Sequence, residues 1–235
     1  MSMLTKEQIH QLNMYSVRLE EPSIPLFSID DLMHHKTHEC MVAIETISKS
    51  PNRVVAASYF MRRWGMFISM QFYLLTSSNL IWDGQNRAVF AVVEEYGLKT
   101  IGIFVKEEDF REVRPDERKA VIHTILKNQC HDVIMKIRQT CSVSPLTLWE
   151  NIFGYLIWHY HVFLSTPLNT QNAYKDWEAL CCDEVWKGIS SSSRFQLYTG
   201  GKEPSQLLNG PVRKSCCFSK DVPGLMKCTF CPLSD

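Results

Sequence analysis

The stretch VVAASYFMRRWGMFISMQFYLLTSSNLIWD, residues 54–83, is dominated by apolar side chains. Residues 54–75 are typical of a buried helix, and β-favouring residues follow at 80–82. The uncharged run between Arg63 and Asp83 has 19 residues, but Gln71 and the polar residues 76–79 interrupt it. A membrane span needs about 20 mostly apolar residues. The stretch therefore predicts a buried helix that runs into a strand.

Helical patterns lie on both sides of this stretch. Residues 5–50 are predicted to be mainly helical, because Thr5 and Gln8 form a capping-box pattern and a second helical pattern begins at Ser28. Three more helices are predicted at 115–139, 145–164 and 170–189.

Short β-rich runs occupy the middle of the chain, at 80–82, 88–93 and 100–105. Turn signals separate them at 83–86 and 96–98, so we expect a small antiparallel sheet. The predicted fold class is α+β, mostly helical, with a small antiparallel sheet and an irregular C-terminal tail.

Length and charge limit the possible classes of protein. The 235 residues fit an α+β body at 1–199 and a small C-terminal motif at 200–235 that packs on it. Lys plus Arg equals Asp plus Glu at 25 each, which disfavours a general nucleic-acid-binding surface. We expect no nucleic-acid partner, no stable membrane insertion and a monomer.

The N-terminus predicts the cellular compartment, and the compartment limits what the cysteines can do. The first fifteen residues have no apolar core long enough for a signal peptide, so we expect a cytoplasmic protein. Nine cysteines in such a chain are unlikely to form a disulfide framework, because the cytosol keeps thiols reduced. They are scattered core residues or metal ligands, and four of them fall in the last twenty residues.

The four C-terminal cysteines have the spacing of a metal site. Cys216 and Cys217 are adjacent, ten residues follow, and Cys228 and Cys231 form a Cys-x2-Cys loop. The Pro223-Gly224 pair can reverse the chain between the two halves. Four thiolates suit either zinc or an iron–sulfur cluster.

The vicinal pair bears on which metal these cysteines bind. Adjacent side chains in extended backbone point apart, which suits a two-iron cluster better than one small ion. Structural zinc sites usually use two separated Cys-x2–4-Cys loops, and this chain has one. Spacing favours iron–sulfur, while zinc and buried thiols without any metal stay open.

The pattern Cys-Cys-x10-Cys-x2-Cys, with Arg213 just upstream and Pro232 after the last cysteine, resembles the signature of the ferric-siderophore reductase (FhuF) family. The segment Leu148-Trp149-Glu150-Asn151 resembles that family's mid-chain Leu-Trp-x-Asn segment. The likeness covers about twenty residues of the tail and these four, and is only architectural elsewhere.

The resemblance implies a function. Cys216, Cys217, Cys228 and Cys231 would hold a 2Fe-2S cluster, and the protein would reduce Fe(III) in cytosolic ferric siderophores of hydroxamate or citrate-hydroxamate type to Fe(II), releasing iron. No Gly-x-Gly-x-x-Gly follows a strand, so no nicotinamide or flavin site of the usual kind is visible. Electrons would come from an external donor such as a ferredoxin or flavoprotein.

Some side chains are candidates for binding the substrate, and each has a plainer alternative. Arg213, Lys214 and Lys220 flank the vicinal cysteines and could attract anionic chelates, or form an ordinary solvated basic loop. Trp158 and His159 could contact substrate or pack in the core. Arg53, Arg62 and Arg63 could recognise carboxylates, although surface charge is the simpler interpretation, and Cys181-Cys182 is expected to be a pair of buried thiols.

Two other functions stay open at this point. The four cysteines could hold structural zinc in a binding module without enzymatic activity. They could also hold an iron–sulfur cluster in an electron carrier or sensor that acts on a protein partner.

Overall fold

The apolar stretch forms most of a 26-residue helix, α3 (Arg53–Ser78), as predicted. Its start is capped by Asn52, whose side chain accepts the Val55 N–H at 3.1 Å. The helix ends at Asn79, which has a left-handed backbone (φ 52°), and strand β3 (Leu80–Trp82) follows at once. Most of α3 is buried, so it is the central helix of the fold.

The computed structural model describes residues 3–95, 97–165, 170–208, 213–226 and 231–232. The other helices in the described residues are α1 (Lys6–Met14), α2 (Thr37–Ser48), α4 (Arg118–Thr124), α5 (Asp132–Arg138), α6 (Pro145–Leu164), α7 (Thr170–Cys181), α8 (Arg194–Thr199) and α9 (Pro204–Leu207). Short π-helical segments (Asp31–His35, Ile125–His131) and 3-10 turns (Glu107–Asp109, Pro115–Glu117, Asp183–Trp186, Ser219–Asp221) connect them.

The described strands form two small sheets. They are β1 (Val17–Arg18), β2 (Pro25–Ser28), β3, β4 (Val89–Glu95), β5 (Leu98–Phe104) and β6 (Phe110–Glu112). The larger sheet has the order β1-β5-β4-β2, and the smaller pairs β3 with β6. The predicted antiparallel pairing holds for β4–β5, β2–β4 and β3–β6.

The larger sheet is mixed, because β1 pairs in parallel with β5. After α1 the chain turns at Ser16 (φ 60°) and reaches the free edge of β5, where the Ser16 carbonyl accepts the Ile103 N–H at 3.1 Å. The prediction that residues 5–50 are mainly helical misses β1 and β2. The prediction of an α+β, mostly helical fold is confirmed.

A buried ion pair ties the central helix to two others. The Arg118 guanidinium donates to Asp176 at 2.5 and 2.7 Å, and Thr76 donates its hydroxyl to the same carboxylate at 2.7 Å. Burial raises the pKa of Asp176 from its usual range, while Arg118 opposes the change. α3, α4 and α7 are thereby tied together by a buried polar network.

Helix α6 packs on α3 more extensively than any other helix does. Gly65 makes this contact possible: a Cβ at that position would lie 2.8 Å from the Asn151 carbonyl oxygen and 3.1 Å from the Ile152 Cα. Both of these atoms are backbone, which cannot swing aside like the end of a long side chain. The glycine therefore sets how closely the two helices approach, and with it the position of Asn151.

No described helix is both long and apolar enough to cross a membrane.

Gly65→Ala should destabilise the protein. Helix propensity alone would favour Ala over Gly by about 1 kcal/mol, but crowding against the α6 backbone should cost about 1–3 kcal/mol and outweigh that gain. Chemical denaturation measures the free energy of unfolding. As a control, Ala120→Gly at an exposed position of α4 reports propensity without crowding. Unchanged or increased stability of the Gly65→Ala protein would contradict this account of the α3–α6 contact.

Candidate functional site

The vicinal cysteines lie on an irregular segment against the helical body. Cys217 is buried, Cys216 is partly exposed, and Cys231 is buried. Cys228, the remaining member of the predicted ligand set, lies outside the described residues. Within the described ranges no three His, Cys, Asp or Glu side chains are grouped as for a metal ion. The segment Arg213–Met226, which contains the vicinal pair, is described without a gap.

A buried carboxylate on α6 holds the residues just before the vicinal pair. Glu150 accepts the backbone N–H groups of Lys214 at 2.8 Å and Ser215 at 3.0 Å, and also the Ser215 hydroxyl. The Glu150 side chain is completely buried. Such a carboxylate is stable only with hydrogen-bond donors around it, and these residues of the tail supply three.

Arg213 completes the surroundings of this carboxylate. Its Nε lies 3.8 Å from Glu150 and donates to the Ser215 carbonyl at 3.2 Å, while another guanidinium nitrogen donates to the Thr147 carbonyl at 3.4 Å. Arg213 is only 6% exposed. Arg213 pairs its charge with Glu150 inside the protein and also lines a cavity, so its predicted contact with substrate stays a prediction.

A second contact holds the segment at Cys217. The Asn151 amide donates to the carbonyl and the hydroxyl oxygens of Ser58 at 3.0 and 2.9 Å, and the Ser58 hydroxyl donates to the Cys217 carbonyl at 2.7 Å. The Asn151 Oδ1 is buried and has no hydrogen-bond partner among the described residues. Two consecutive residues of α6 therefore secure both sides of Cys216.

The chain turns sharply after the vicinal pair. Phe218 has a left-handed backbone (φ 57°), and its N–H donates to the Cys216 sulfur at 3.3 Å. An N–H···S bond is one of the contacts by which proteins adjust the potential of iron–sulfur clusters. The donor chemistry on this side of the motif thus fits a thiolate-bound metal.

A cavity of about 630 Å³ lies between α1, α3, α6 and the tail. It is lined by Gln11, Met14, Tyr15, Arg62, Met66, Ser69, Glu150, Asn151, Gly154, Tyr155, Trp158, Arg213, Gly224, Leu225 and Met226. The lining includes tail residues from both sides of the vicinal pair, namely Arg213 and 224–226. Glu150 and Asn151, which hold the tail and are called the clamp from here on, contribute to the same wall.

Comparison of this chain with protein-family models, with curated proteins and with solved structures finds no match. The resemblance described above therefore rests on the cysteine pattern and the Leu148–Asn151 segment alone.

The structure separates two neighbouring residues that were predicted together. Trp158 is 54% exposed and lines the cavity. His159 is 2% exposed and lies inside, with its Nδ1 3.5 Å from the Tyr15 hydroxyl and its ring packed edge-on against Tyr73 and Phe163. This placement matches the packing alternative for His159 and leaves Trp158 as the one in contact with the cavity.

The remaining predicted cations occupy different places. Lys214 and Lys220 are exposed on the tail. Arg62 lines the cavity. Arg63 is paired with Glu95 at 3.1 Å, and Arg53 with Glu45 at 2.9 Å.

Among the cysteines outside the tail, Cys40 and Cys130 are buried, whereas Cys141 and Cys181 are partly buried. Burial raises the pKa of Cys40 to about 11 and of Cys181 to about 12, and it raises the pKa of Cys130 as well. These groups are therefore protonated and unreactive at neutral pH. Cys182 differs from the prediction, because it is exposed.

Some members of the site carry no sequence signal of their own. Ser58 is one of several small polar residues in an apolar helix, and Ser215 is one serine in a polar tail. Tyr15 follows an ordinary amphipathic helix. Their roles arise from contacts with residues that are distant along the chain, so only the structure reveals them.

The buried histidine predicts a pH dependence of stability. Burial lowers the pKa of His159 to about 3, whereas an unfolded histidine titrates near about 6.5. Below that higher value the unfolded chain binds a proton that the folded protein does not, so stability falls as the pH falls. Between pH 6.5 and 5.0 this one group should cost about 2 kcal/mol.

His159→Phe should remove this part of the acid sensitivity while it keeps an aromatic ring in place. Urea unfolding at pH 7.0 and 5.0 measures it, and His10→Gln, at an exposed position, should retain the wild-type dependence. Equal losses of stability in wild type and His159→Phe on acidification would rule out a buried neutral histidine.

Proposed function

We propose that this protein is a cytoplasmic ferric-siderophore reductase, which reduces the Fe(III) of a hydroxamate or citrate-hydroxamate chelate to Fe(II) and so releases it. The observation that carries the proposal is the clamp of Glu150 and Asn151. It joins the two segments that resemble the reductase family, Leu148–Asn151 and the cysteine tail, in the wall of one cavity.

Cys216, Cys217, Cys228 and Cys231 are the residues that would hold a 2Fe-2S cluster. When bound, such a cluster supplies one electron at a time, which is what reduction of one ferric ion needs. Thiolate donors and the Phe218 N–H on the Cys216 sulfur are consistent with that group. An external donor, a ferredoxin or flavoprotein, would provide the electrons.

The cavity is the proposed binding site of the ferric chelate. Its size is in the range of small-molecule sites, and Tyr155 and Trp158 offer aromatic surface beside the methionines of α1, α3 and the tail. Ferric iron is held by hard oxygen donors, and ferrous iron is held far less tightly. The chain therefore has to position the chelate and keep it in place for one electron transfer, with no need for a nucleophile.

Spectroscopy of anaerobically purified protein tests the cofactor. We expect red-brown absorption that bleaches with dithionite, a one-electron paramagnetic signal, and then loss of a ferric trihydroxamate as Fe(II) appears in a ferrous-specific trap. Cys217→Ser and Cys228→Ser should abolish the chromophore. Cys182→Ser, at an exposed cysteine outside the tail, should keep it.

The same preparation decides between the other functions. One equivalent of zinc in a colourless protein would replace the reductase with a structural zinc module. A cluster that is reduced by dithionite yet transfers no electron to ferric chelates would leave an electron carrier or sensor that acts on a protein.

Trp158→Ala tests the cavity. Removing this ring should weaken chelate binding and raise KM by about 5- to 30-fold, since burial of a large apolar side chain is worth about 1–2 kcal/mol. The effect on kcat should be small, because Trp158 only positions the substrate. Leu197→Ala removes an apolar side chain that is 64% exposed and lies outside the cavity, and it should leave KM unchanged. Equal KM values for wild type and Trp158→Ala would place the chelate elsewhere.

A further inference from the structure

We infer that Glu150 docks the segment carrying Cys216 and Cys217 onto helix α6 without the help of any metal. On this view the vicinal half of the cysteine motif is a positioned part of the folded body, and Glu150 is its positioning residue. The inference goes beyond the proposed function and does not rest on it.

The first argument is the identity of the bonded atoms. Glu150 receives two backbone N–H groups and one hydroxyl, from Lys214 and Ser215. The Ser58 hydroxyl meets the Cys217 carbonyl. None of these bonds uses a cysteine sulfur, so the segment can be held whether or not the sulfurs bind a metal.

The second argument is the environment of the carboxylate. Glu150 is completely buried, and its ion-pair partner Arg213 belongs to the same segment. If the segment left, the carboxylate would lose three hydrogen bonds and its counter-ion in one step. Charge-assisted hydrogen bonds are stronger than neutral ones, so their loss together with the counter-ion disfavours the undocked arrangement.

The third argument is that the segment is secured at both ends. Lys214 and Ser215 are bound to Glu150, and two residues further on Cys217 is bound to Ser58, which Asn151 holds in turn. Cys216 lies between these anchors. Its backbone is restrained by its neighbours, while the residue remains partly exposed.

Three cysteines of the chain serve as internal reporters of docking. Cys217 is 4% exposed in the docked segment, so its alkylation reports undocking. Cys130 is completely buried in the core of the body and reports global unfolding. Cys182 is exposed and reports the rate at which the reagent alkylates an accessible thiol.

The experiment is time-resolved alkylation of the metal-free, fully reduced full-length protein with iodoacetamide, with each cysteine followed by peptide mass spectrometry. In wild type, Cys182 should react quickly, Cys217 slowly and Cys130 slowest. In Glu150→Gln, an NH₂ group replaces a carboxylate oxygen and faces donors of the tail. Cys217 should then react at least about tenfold faster, the change expected for loss of a charge-assisted buried hydrogen bond.

Two further variants sharpen the result. Ser58→Ala removes the bond to the Cys217 carbonyl and the bond that Asn151 donates to the Ser58 hydroxyl. It leaves Glu150 and its donors in place, so it should accelerate Cys217 less than Glu150→Gln does. Glu178→Gln makes the same chemical change at an exposed position of α7 and should leave all three rates as in wild type.

Three results would overturn the inference. Cys217 of metal-free wild type could react as fast as Cys182, which would mean that docking needs a metal. Cys217 could stay protected in Glu150→Gln, which would mean that Glu150 does not hold the segment. Cys130 and Cys217 could accelerate together in the variants, which would mean that the segment has no local clamp. The rates do not depend on which metal the cysteines bind, so failure of the reductase proposal would leave them unchanged.

Discussion

The buried carboxylate of Glu150 is the constraint on which the arrangement of the site depends. A carboxylate without solvent must be surrounded by donors, and here Lys214 and Ser215 supply them, while Arg213 is the counter-ion. These three residues lie more than sixty positions further along the chain. The chain therefore has to bring its tail to helix α6. Once it does so, the vicinal cysteines and one wall of the cavity take their positions.

The side chains of three adjacent residues of α6 point in three different directions. Successive side chains on a helix are about 100° apart, so Trp149, Glu150 and Asn151 cannot face the same neighbour. Trp149 packs into the aromatic core against Phe153 and Trp186, Glu150 faces the tail, and Asn151 reaches Ser58 on α3. The carbonyl of Asn151 is also the atom that Gly65 accommodates. The packing of α3 on α6 and the docking of the tail are consequently parts of one arrangement.

Periodicity along the sequence predicted the long elements well and the short ones poorly. Helix α6 was predicted with its observed bounds, and α3 and β3 where the structure has them, because each buries a continuous apolar pattern. Strands β1 and β2 have two and four residues and owe their existence to β5 and β4, which lie far along the chain. No local pattern can reveal a strand whose pairing partner is more than sixty residues away, as both of these partners are.

The same limit applies to the site. The cysteine pattern and the segment around Glu150 could both be found in the sequence, since each has a recognisable order of residues. Their contact could not be found, because a serine in an apolar helix and a serine in a polar tail look unremarkable until the chain brings them to Asn151 and Glu150. His159 shows the reverse case. A histidine beside an exposed tryptophan suggests a binding residue, yet a helix turns it by about 100° from that neighbour and into the core.

Several titratable groups in the interior of the site are neutral or paired, and the cavity lining also contains Arg62. Burial raises the pKa of Tyr15 to about 12 and lowers that of His159 to about 3, so both are neutral across the physiological range. Arg213 and Glu150 balance each other, while Lys214 and Lys220 remain in solvent. For the proposed chelate, long-range attraction would come from the exposed lysines and would be weakened by salt. Binding in the cavity would depend on its shape and on Arg62 in its lining. The hydrogen bonds of Glu150, Asn151 and Ser58 that position the tail in the cavity wall are made by atoms other than a cysteine sulfur.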